Sequence, residues 1–237
     1  MLEIDRDIFA MTQTQQITKD QSTDLARFNM IEQQIRTWEV LDPVVLDLLG
    51  EVHREDFVDA SQFGLAFADV ELPIGYGQTM LSPKIEGRIL QALNIKKTDK
   101  VLLVGTGSGY LTALIAKLAK HVDSIEIIPE LSKLAETRLQ KQNIHNVTLY
   151  VADAFTGYTT DKTYDVIVFT GSLPLHPSAA EAMLNIDGRM FAVVGEMPIM
   201  QATLTQRINE GSCRKETLFE TCLPPLMSAP QSTKFKF

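Results

Sequence analysis

Three glycines at the end of a short apolar run are the most informative feature of this sequence. The run VLLV (101–104) leads into Gly105, Gly107 and Gly109 and then into the helical pattern YLTALIAKLA. Nucleotide-binding loops need this order of strand, glycines and helix, because glycine lets the backbone turn tightly beside a ligand and the helix start offers free N–H groups. The third glycine comes earlier than in the G-x-G-x-x-G spacing of dinucleotide sites. We therefore predict an adenosine-containing cofactor without a pyrophosphate, with NAD in an oxidoreductase as the alternative.

Two acidic residues stand where the next two strands are expected to end. Glu126 ends the second strand, where a carboxylate can accept hydrogen bonds from both hydroxyls of a ribose. Asp153 follows the third strand and is similarly placed to meet an adenine amino group. A solvated acid at a strand end is the ordinary explanation of either residue alone. The glycine loop, Glu126 and Asp153 follow three successive strands at the same edge of the sheet, and this combination favours a shared ligand site instead.

A parallel sheet is needed to bring these residues together. Short apolar runs alternate with helical patterns after residue 100, which predicts an α/β, Rossmann-like fold with a mostly parallel sheet covered on both faces. An antiparallel hairpin should follow, with its turn at 209–212. The expected strands are 101–104, 121–128, 147–151, 164–169, 189–194, 201–208 and 214–223, and the expected helices are 110–119, 129–142 and near 178–184.

The first hundred residues predict an extension and a helical cap. Residues 1–22 are polar and without periodicity, so we expect a disordered extension. Residues 23–95 should form the cap and an active-site loop, and residues 96–237 the core, together one compact unit. Within the cap we expect a helix start at Asp42-Pro43 and another at Ser82-Pro83, with 63–83 too broken by glycine and proline for a regular element. One helical face should contain Leu25, Phe28, Ile31, Ile35 and Trp38.

Composition excludes several classes of function. The chain has 22 basic and 30 acidic residues, a net charge of -8, and no basic run, so we expect no nucleic-acid partner. It has neither a membrane-spanning run nor a signal peptide, which predicts a cytoplasmic protein. Its two cysteines, Cys213 and Cys222, lack metal-ligand spacing, and we expect no metal. The sequence leaves the oligomeric state open.

Five segments, in order, resemble one enzyme family. They are NMIEQQIRTWEVLD, HREDFV, ELPIGYGQT, VGTGSGYLTALIA and YDVIVFTG, and they span residues 28 to about 195. They look like the protein-L-isoaspartate (D-aspartate) O-methyltransferase family, and LPIG followed by GQT is specific to it among methyltransferases. The resemblance implies a class I methyltransferase fold that uses S-adenosylmethionine, releases S-adenosylhomocysteine, and esterifies the α-carboxyl of isoaspartyl residues in damaged proteins.

The resemblance also implies roles for particular residues. The glycine loop would hold the methionine side of the cofactor, Glu126 the ribose, and Asp153 with Ala154 the adenine, while Thr170 lies beside the active cleft. We expect Thr79 and Ser82 to be the catalytic positions. The full expected cofactor set is Gly105, Thr106, Gly107, Ser108, Gly109, Glu126, Ile127, Asp153, Ala154 and Thr170, and the expected substrate cleft is Gln78, Met80 and Leu81.

Three positions depart from the family pattern. Leu81 stands where the family has a serine whose hydroxyl lies between cofactor and substrate, and Ser82 replaces it if the loop shifts by one residue. Leu103 stands where an acid lies near the cofactor ammonium group, and Ala154 replaces a glycine. The adenosine half of the expected site is therefore better matched than the methyl-donating half. A related methyltransferase with another carboxylate or hydroxyl substrate, and a non-catalytic binder of an adenosine ligand, remain as alternatives.

Overall fold

A seven-stranded mixed sheet forms the centre of the computed structural model, which describes residues 21–231. The strand order is β5-β4-β3-β6-β7-β8-β9, parallel from β5 to β7 and antiparallel from β7 to β9. This confirms the predicted α/β class. The sheet strands are β3 (Lys100–Val104), β4 (His121–Glu126), β5 (Val147–Val151), β6 (Tyr164–Leu173), β7 (Leu184–Glu196), β8 (Ile199–Asn209) and β9 (Ser212–Thr221), and the helices between them are α4 (Tyr110–Leu118), α5 (Pro129–Lys141) and α6 (Ser178–Glu181).

The direction of the chain reverses at β3. After β3 the chain moves outward through β4 to β5, and it then returns to pair β6 with the other side of β3. In open parallel sheets such a reversal leaves a crevice at the carboxyl ends of the two strands, where ligands bind. Here that crevice opens directly above Gly105, the first residue after β3.

Alternate residues of β3 anchor the two faces of the core. Val101 and Leu103 point into a large cluster shared with the N-terminal helices, and Leu102 and Val104 point into a smaller cluster on the opposite face. Leu103 is completely buried. Both faces of a parallel strand are covered by helices, so its residues are apolar on both sides.

The N-terminal helices form the predicted cap, with a change of helical type that the sequence pattern did not indicate. The helix α1 (21–38) begins as an α-helix, continues as a π-helix over Met30–Ile35 and ends as a 3-10 turn over Arg36–Trp38. Met30 and Ile35 are buried, five residues apart, which is the spacing of a π-turn. The expected single face is therefore wrong for three of its members, since Leu25, Phe28 and Trp38 are exposed.

Two further helices complete the cap, α2 (Pro43–Glu51) and α3 (Pro83–Leu93). The expected helix start at Asp42 is confirmed, because its carboxylate accepts a hydrogen bond from Val44 N–H at 2.8 Å. Short 3-10 turns at Arg54–Phe57 and Ala60–Leu65 follow α2. They lead the chain toward the carboxyl edge of the sheet.

Within 63–83, the expectation of no regular element is wrong. Strands β1 (Leu72–Gly75) and β2 (Gln78–Met80) form an antiparallel hairpin. Its turn has positive φ at Gly75 (90°), Tyr76 (56°) and Gly77 (72°). Glycine adopts positive φ without a steric clash, so the two glycines that flank Tyr76 allow this tight turn. Strands of three or four residues are too short to leave a clear alternation of apolar and polar residues.

The C-terminal half extends beyond its expected limits. Strand β6 was predicted to end at residue 169, but after a register shift between Val168 and Ser172 it continues to Leu173. The predicted helix at 178–184 is shorter, and β7 begins already at Leu184. The predicted hairpin is confirmed as β8 and β9. Local periodicity does not encode these limits, because pairing with a neighbouring strand sets them.

The first described residues, from 21 onward, already belong to helix α1. The predicted disordered extension at 1–22 lies outside the described residues up to residue 20, and residues 21 and 22 are already helical. The division into extension, cap and core stays a prediction. Within residues 21–231, no helix is long and apolar enough to cross a membrane.

A buried carboxylate ties β4 to β6 at the edge of the sheet opposite the crevice. Asp123 accepts hydrogen bonds from Lys162 Nζ (2.7 Å) and from Tyr164 Oη (2.8 Å), and His121 Nε2 lies 3.3 Å from its other oxygen. Burial raises the pKa of Asp123, but these hydrogen bonds outweigh burial and the pKa is lowered overall. Asp123 therefore stabilises the fold in its ionised form.

Lys162→Met should expose this dependence. Because the pKa of Asp123 is lowered in the folded state, its contribution is present above the unfolded pKa of about 3.9 and is lost as pH falls through the lower folded value. We expect the variant to lose roughly 1 to 3 kcal/mol of unfolding free energy at pH 7, by urea denaturation, and the loss to shrink below about pH 4. Lys133→Met, at an exposed position of α5, is the control. A loss that stays constant down to pH 2 would contradict the assignment.

Candidate functional site

A cleft lies at the carboxyl ends of β3, β4 and β6. Its walls come from the glycine loop, the ends of these strands, the β1–β2 hairpin and the segment after β9. No Lys, Arg or His side chain is among the described residues that line it. Within residues 21–231 there is also no group of three or more His, Cys, Asp or Glu residues that could hold a metal ion.

The loop glycines are required by close contacts on three sides. Gly105, Gly107 and Gly109 all have positive φ, at 95°, 55° and 88°. A Cβ at Gly105 would overlap Thr170 Oγ1, and a Cβ at Gly109 would lie 3.1 Å from the Ala135 side chain in α5. At Gly107 it would lie 3.2 Å from Ile74 of the hairpin. A side chain at any of these three glycines would therefore strain the backbone and press on β6, β1 or α5.

The two hydroxyl residues of the loop face inward and stabilise its shape. Thr106 Oγ1 and Ser124 Oγ are 2.7 Å apart, and Ser108 Oγ accepts a 3.3 Å hydrogen bond from Tyr110 N–H. Both side chains are buried, and neither Thr106 nor Ser108 lines the cleft. Their place in the expected cofactor set is therefore limited to their backbone.

Glu126 lies in the cleft, as expected for a ribose-binding acid. Its carboxylate accepts hydrogen bonds from Gly107 N–H at 2.8 Å and from Ile128 N–H at 3.1 Å. These two bonds fix the side chain against the glycine loop while it still lines the cleft beside Ile127. The carboxylate is thus held in place before any ligand binds.

The next expected pair separates into two different environments. Ala154 lines the cleft, whereas Asp153 does not. The Asp153 carboxylate accepts hydrogen bonds from Phe155 N–H and Thr156 Oγ1, each at 2.8 Å. The Phe155 bond, together with those from the Thr156 and Ser228 hydroxyls, lowers the pKa of Asp153. Its side chain stabilises the turn, and Phe155 and Ala154 are presented to the cleft.

The β2 strand contributes side chains to the cleft at every residue but Met80. Gln78, Thr79 and Leu81 line it, and Thr170 faces them from β6. Met80, expected in the substrate cleft, points instead into the core and is 3% exposed. Met80 pairs with Leu72 of β1, and both side chains pack into the core.

Ser82 does not take over the place of Leu81. It is buried, it does not line the cleft, and it occupies the N-cap position of α3 without a side-chain cap bond. The shift of one residue that would bring its hydroxyl into the cleft is absent. Leu81 itself is 6% exposed and stands at the cleft wall.

A buried ion pair fixes Leu81. Arg54, completely buried, pairs with Glu86 of α3 and donates a 2.5 Å hydrogen bond to the Leu81 carbonyl. Burial raises the pKa of Glu86 to about 8, and the charge and hydrogen bond of Arg54 oppose that rise. The guanidinium also lies 5.2 Å from the ring centre of Tyr110, at the start of α4. Arg54 therefore joins the loop before α3 to the helix after the glycine loop.

The segment after β9 is a wall of the cleft that no sequence pattern indicated. Pro224, Pro225, Leu226 and Met227 all line it. Ser172 holds this segment in place, since its N–H donates to Pro224 O at 2.9 Å and its carbonyl accepts from Leu226 N–H at 3.0 Å. The Pro-Pro pair marks the end of β9, but a proline pair alone does not reveal what the following residues contact.

Comparison with known proteins places the chain in a family. The model of the protein-L-isoaspartate(D-aspartate) O-methyltransferase family matches residues 26–231. The chain belongs to this family.

Curated members of the family match over most of their length. The protein-L-isoaspartate O-methyltransferase of Magnetococcus marinus is 38% identical over 181 residues, covering 76% of this chain and 79% of that protein. The one from Protochlamydia amoebophila is 38% identical over 199 residues, covering 84% and 95%. A crystal structure from Plasmodium falciparum, described as an enzyme of this family in complex with S-adenosyl-L-homocysteine, has a TM-score of 0.71 at 18% identity and covers 84% of this chain and 96% of that one. At that identity it supports the fold alone.

The three departures from the family pattern lie in different environments. Leu103 is buried in the core beneath the glycine loop and does not line the cleft, so an acid at this place is replaced by an apolar core contact. Leu81 makes the cleft wall apolar where the family has a hydroxyl. Ala154 adds a methyl group to the wall opposite. Of the three changes, Leu81 most directly alters the surface that a ligand of this family member would meet.

Gly105→Ala should reveal the contact on which the cleft depends. The new methyl group would overlap Thr170 Oγ1 and would require a left-handed backbone, so we expect a loss of about 2 to 4 kcal/mol of unfolding free energy. The matched control is Gly211→Ala, where a Cβ meets nothing within 4 Å and a change within about 0.5 kcal/mol is expected. Equal urea midpoints for the two variants would contradict this account.

Proposed function

We propose that this protein is an S-adenosylmethionine-dependent methyltransferase that esterifies the carboxyl group of isoaspartyl residues in proteins and peptides. The observation that carries the proposal is the cleft itself: a chain of this family has its glycine loop and Glu126 together at the reversal point of the sheet.

The residues present fit the adenosine portion of such a cofactor most closely. Glu126 offers acceptors for ribose hydroxyls, and Phe155, Ile127 and Leu131 offer an apolar surface for the adenine ring. Gly105 and Gly107 line the cleft without side chains, so their main chain can lie against the methionine portion. When bound, S-adenosylmethionine would supply an electrophilic methyl group on a positively charged sulfur.

The chemistry does not require a catalytic base. A substrate carboxylate with a pKa near about 4 is ionised at neutral pH, so its oxygen can take the methyl group directly as the carbon–sulfur bond breaks. The protein would then act by aligning the two reactants and by excluding water. Leu81, Ile74 and Leu226 give the cleft the apolar walls that this role needs.

The proposed product explains a role in protein repair. An isoaspartyl methyl ester can close to a succinimide with loss of methanol, and hydrolysis of the succinimide returns part of the material to normal aspartate. The partner of this protein would therefore be a damaged protein that exposes an isoaspartyl residue.

Leu81 favours one second candidate, a methyltransferase with a different acceptor. The Leu81 side chain at the cleft wall can neither donate nor accept a hydrogen bond. The serine hydroxyl of the family is therefore missing at the place where the substrate is expected to bind. A carboxylate or hydroxyl on another small molecule or protein is the acceptor in this alternative. A non-catalytic adenosine binder and an NAD-dependent oxidoreductase are the remaining alternatives.

Calorimetric titration followed by methyl transfer separates these functions. We expect S-adenosylmethionine and S-adenosylhomocysteine to bind and NAD to give no heat. Radiolabelled methyl groups should pass to an isoaspartyl peptide and not to the same peptide with normal aspartate. Binding without transfer to any isoaspartyl peptide would leave the second candidate and the non-catalytic binder, and the absence of binding would eliminate both methyltransferases.

Leu81→Ser tests the main departure from the family. A serine hydroxyl at the cleft wall would restore one hydrogen bond to the substrate, so we expect kcat/KM for the isoaspartyl peptide to rise about tenfold. Leu81→Ala is the matched control, since it opens the same space without a hydroxyl. A similar rate in the wild type and both variants would show that no hydroxyl is needed at this position.

A further inference from the structure

A carboxylate outside the cleft controls a hydroxyl inside it. Thr79 Oγ1 donates a 2.8 Å hydrogen bond to Glu71 Oε2. Glu71 is the residue before β1, and the pairing of Leu72 with Met80 and of Pro73 with Thr79 puts Glu71 and Thr79 on the same face of the hairpin. Thr79 lines the cleft, whereas Glu71 is not among the residues that line it. A carboxylate can only accept, so the proton of the Thr79 hydroxyl points away from the cleft.

The hydroxyl of Thr170, the other hydroxyl of the cleft, also donates its hydrogen bond to the protein. Thr170 Oγ1 donates to Gly105 O at 2.8 Å and lies 3.1 Å from Val104 O. Thr79 and Thr170 are the hydroxyl side chains among the described cleft residues, and Leu81 contributes no polar atom. The hydroxyl oxygens of this cleft are therefore presented to a ligand as hydrogen-bond acceptors.

This arrangement does not suit a carboxylate at Thr79. A carboxylate has no proton to give, and the charge of Glu71, hydrogen-bonded to Thr79, would repel it. A main-chain N–H is a donor and fits the free lone pairs of the Thr79 oxygen. An isoaspartyl peptide presents both kinds of group, since the carboxylate that receives the methyl group is flanked by main-chain amides.

We propose that Glu71 is a positioning residue, which fixes the Thr79 hydroxyl as the acceptor for a main-chain N–H beside the isoaspartyl residue. The assignment rests on the proposed function and adds to it the way in which the peptide is oriented. Thr79 holds the amide, and the carboxylate is turned away from Glu71 toward the cofactor side of the cleft.

N-methylated peptides test this hydrogen bond directly. We would measure kcat and KM for an isoaspartyl peptide and for two versions in which the amide on either side of the isoaspartyl residue carries an N-methyl group. Loss of one hydrogen bond should lower kcat/KM of the wild type about tenfold for one of the two N-methylated peptides. Thr79→Val should lose about the same factor on the unmodified peptide and lose nothing further on that N-methylated peptide.

Two more variants separate positioning from a merely structural effect. Glu71→Met releases the hydroxyl, so it should raise KM several-fold for the unmodified peptide with kcat nearly unchanged. Thr79→Ser keeps the hydroxyl and should discriminate between the peptides as the wild type does. Glu210→Gln, at an exposed turn position between β8 and β9, is the control. Titration with S-adenosylhomocysteine should give equal affinity in all variants if their cleft is intact.

Each remaining outcome overturns a definite statement. Independent, multiplying losses for Thr79→Val and N-methylation would overturn the Thr79 contact, and a wild-type KM in Glu71→Met would overturn the role of Glu71. Transfer to isoaspartyl peptides would continue in both cases, so the proposed function would stand. The absence of transfer to every isoaspartyl peptide would instead overturn the proposed function, and this assignment with it.

Discussion

The whole site depends on how closely other elements approach the loop from Gly105 to Gly109. Thr170 from β6 and Leu226 from the segment after β9 close on Gly105, Ile74 from the hairpin on Gly107, and Ala135 from α5 on Gly109. Each approach uses the space that a Cβ would occupy. The loop is therefore the point at which the sheet, the cap hairpin, a core helix and the C-terminal segment are held together, and a cleft with four walls results.

The parts of the fold that could be predicted from the sequence are those that local chemistry determines. The strand, loop and helix at residues 101–118 follow from an apolar run, three glycines and a helical period, and Asp42 before Pro43 is a complete cap signal. Glu126 ends β4, as predicted, and lines the cleft, while its contact with a ribose stays a prediction. The same reasoning succeeded for β8 and β9, whose turn residues separate two alternating segments.

Tertiary contacts determine the parts that could not be predicted. Asp153, like Glu126, is an acid at the end of a strand. Its carboxylate, however, accepts hydrogen bonds from the Phe155 N–H and the Thr156 hydroxyl. Met80 ends β2 and packs into the core, whereas the next residue, Leu81, lines the cleft, and no local pattern separates these two apolar residues. The residues from Pro224 to Met227 line the cleft because Ser172 binds their backbone, a contact between positions about fifty residues apart in sequence.

The apolar character of the cleft gives the departures at Leu81 and Leu103 a different meaning from a simple loss of function. Leu103 lies in the core, so the acid of the family is replaced where it would have required burial of a charge, and Arg54 holds the Leu81 carbonyl whatever its side chain is. Among residues 21–231 no Lys, Arg or His side chain lines the cleft, so the proposed sulfonium would supply the main attraction for a carboxylate there. Apolar walls would strengthen this attraction by lowering the local dielectric constant. A hydroxyl anchor then contributes orientation more than attraction. Orientation can also come from the amide of the peptide, through an oxygen such as that of Thr79.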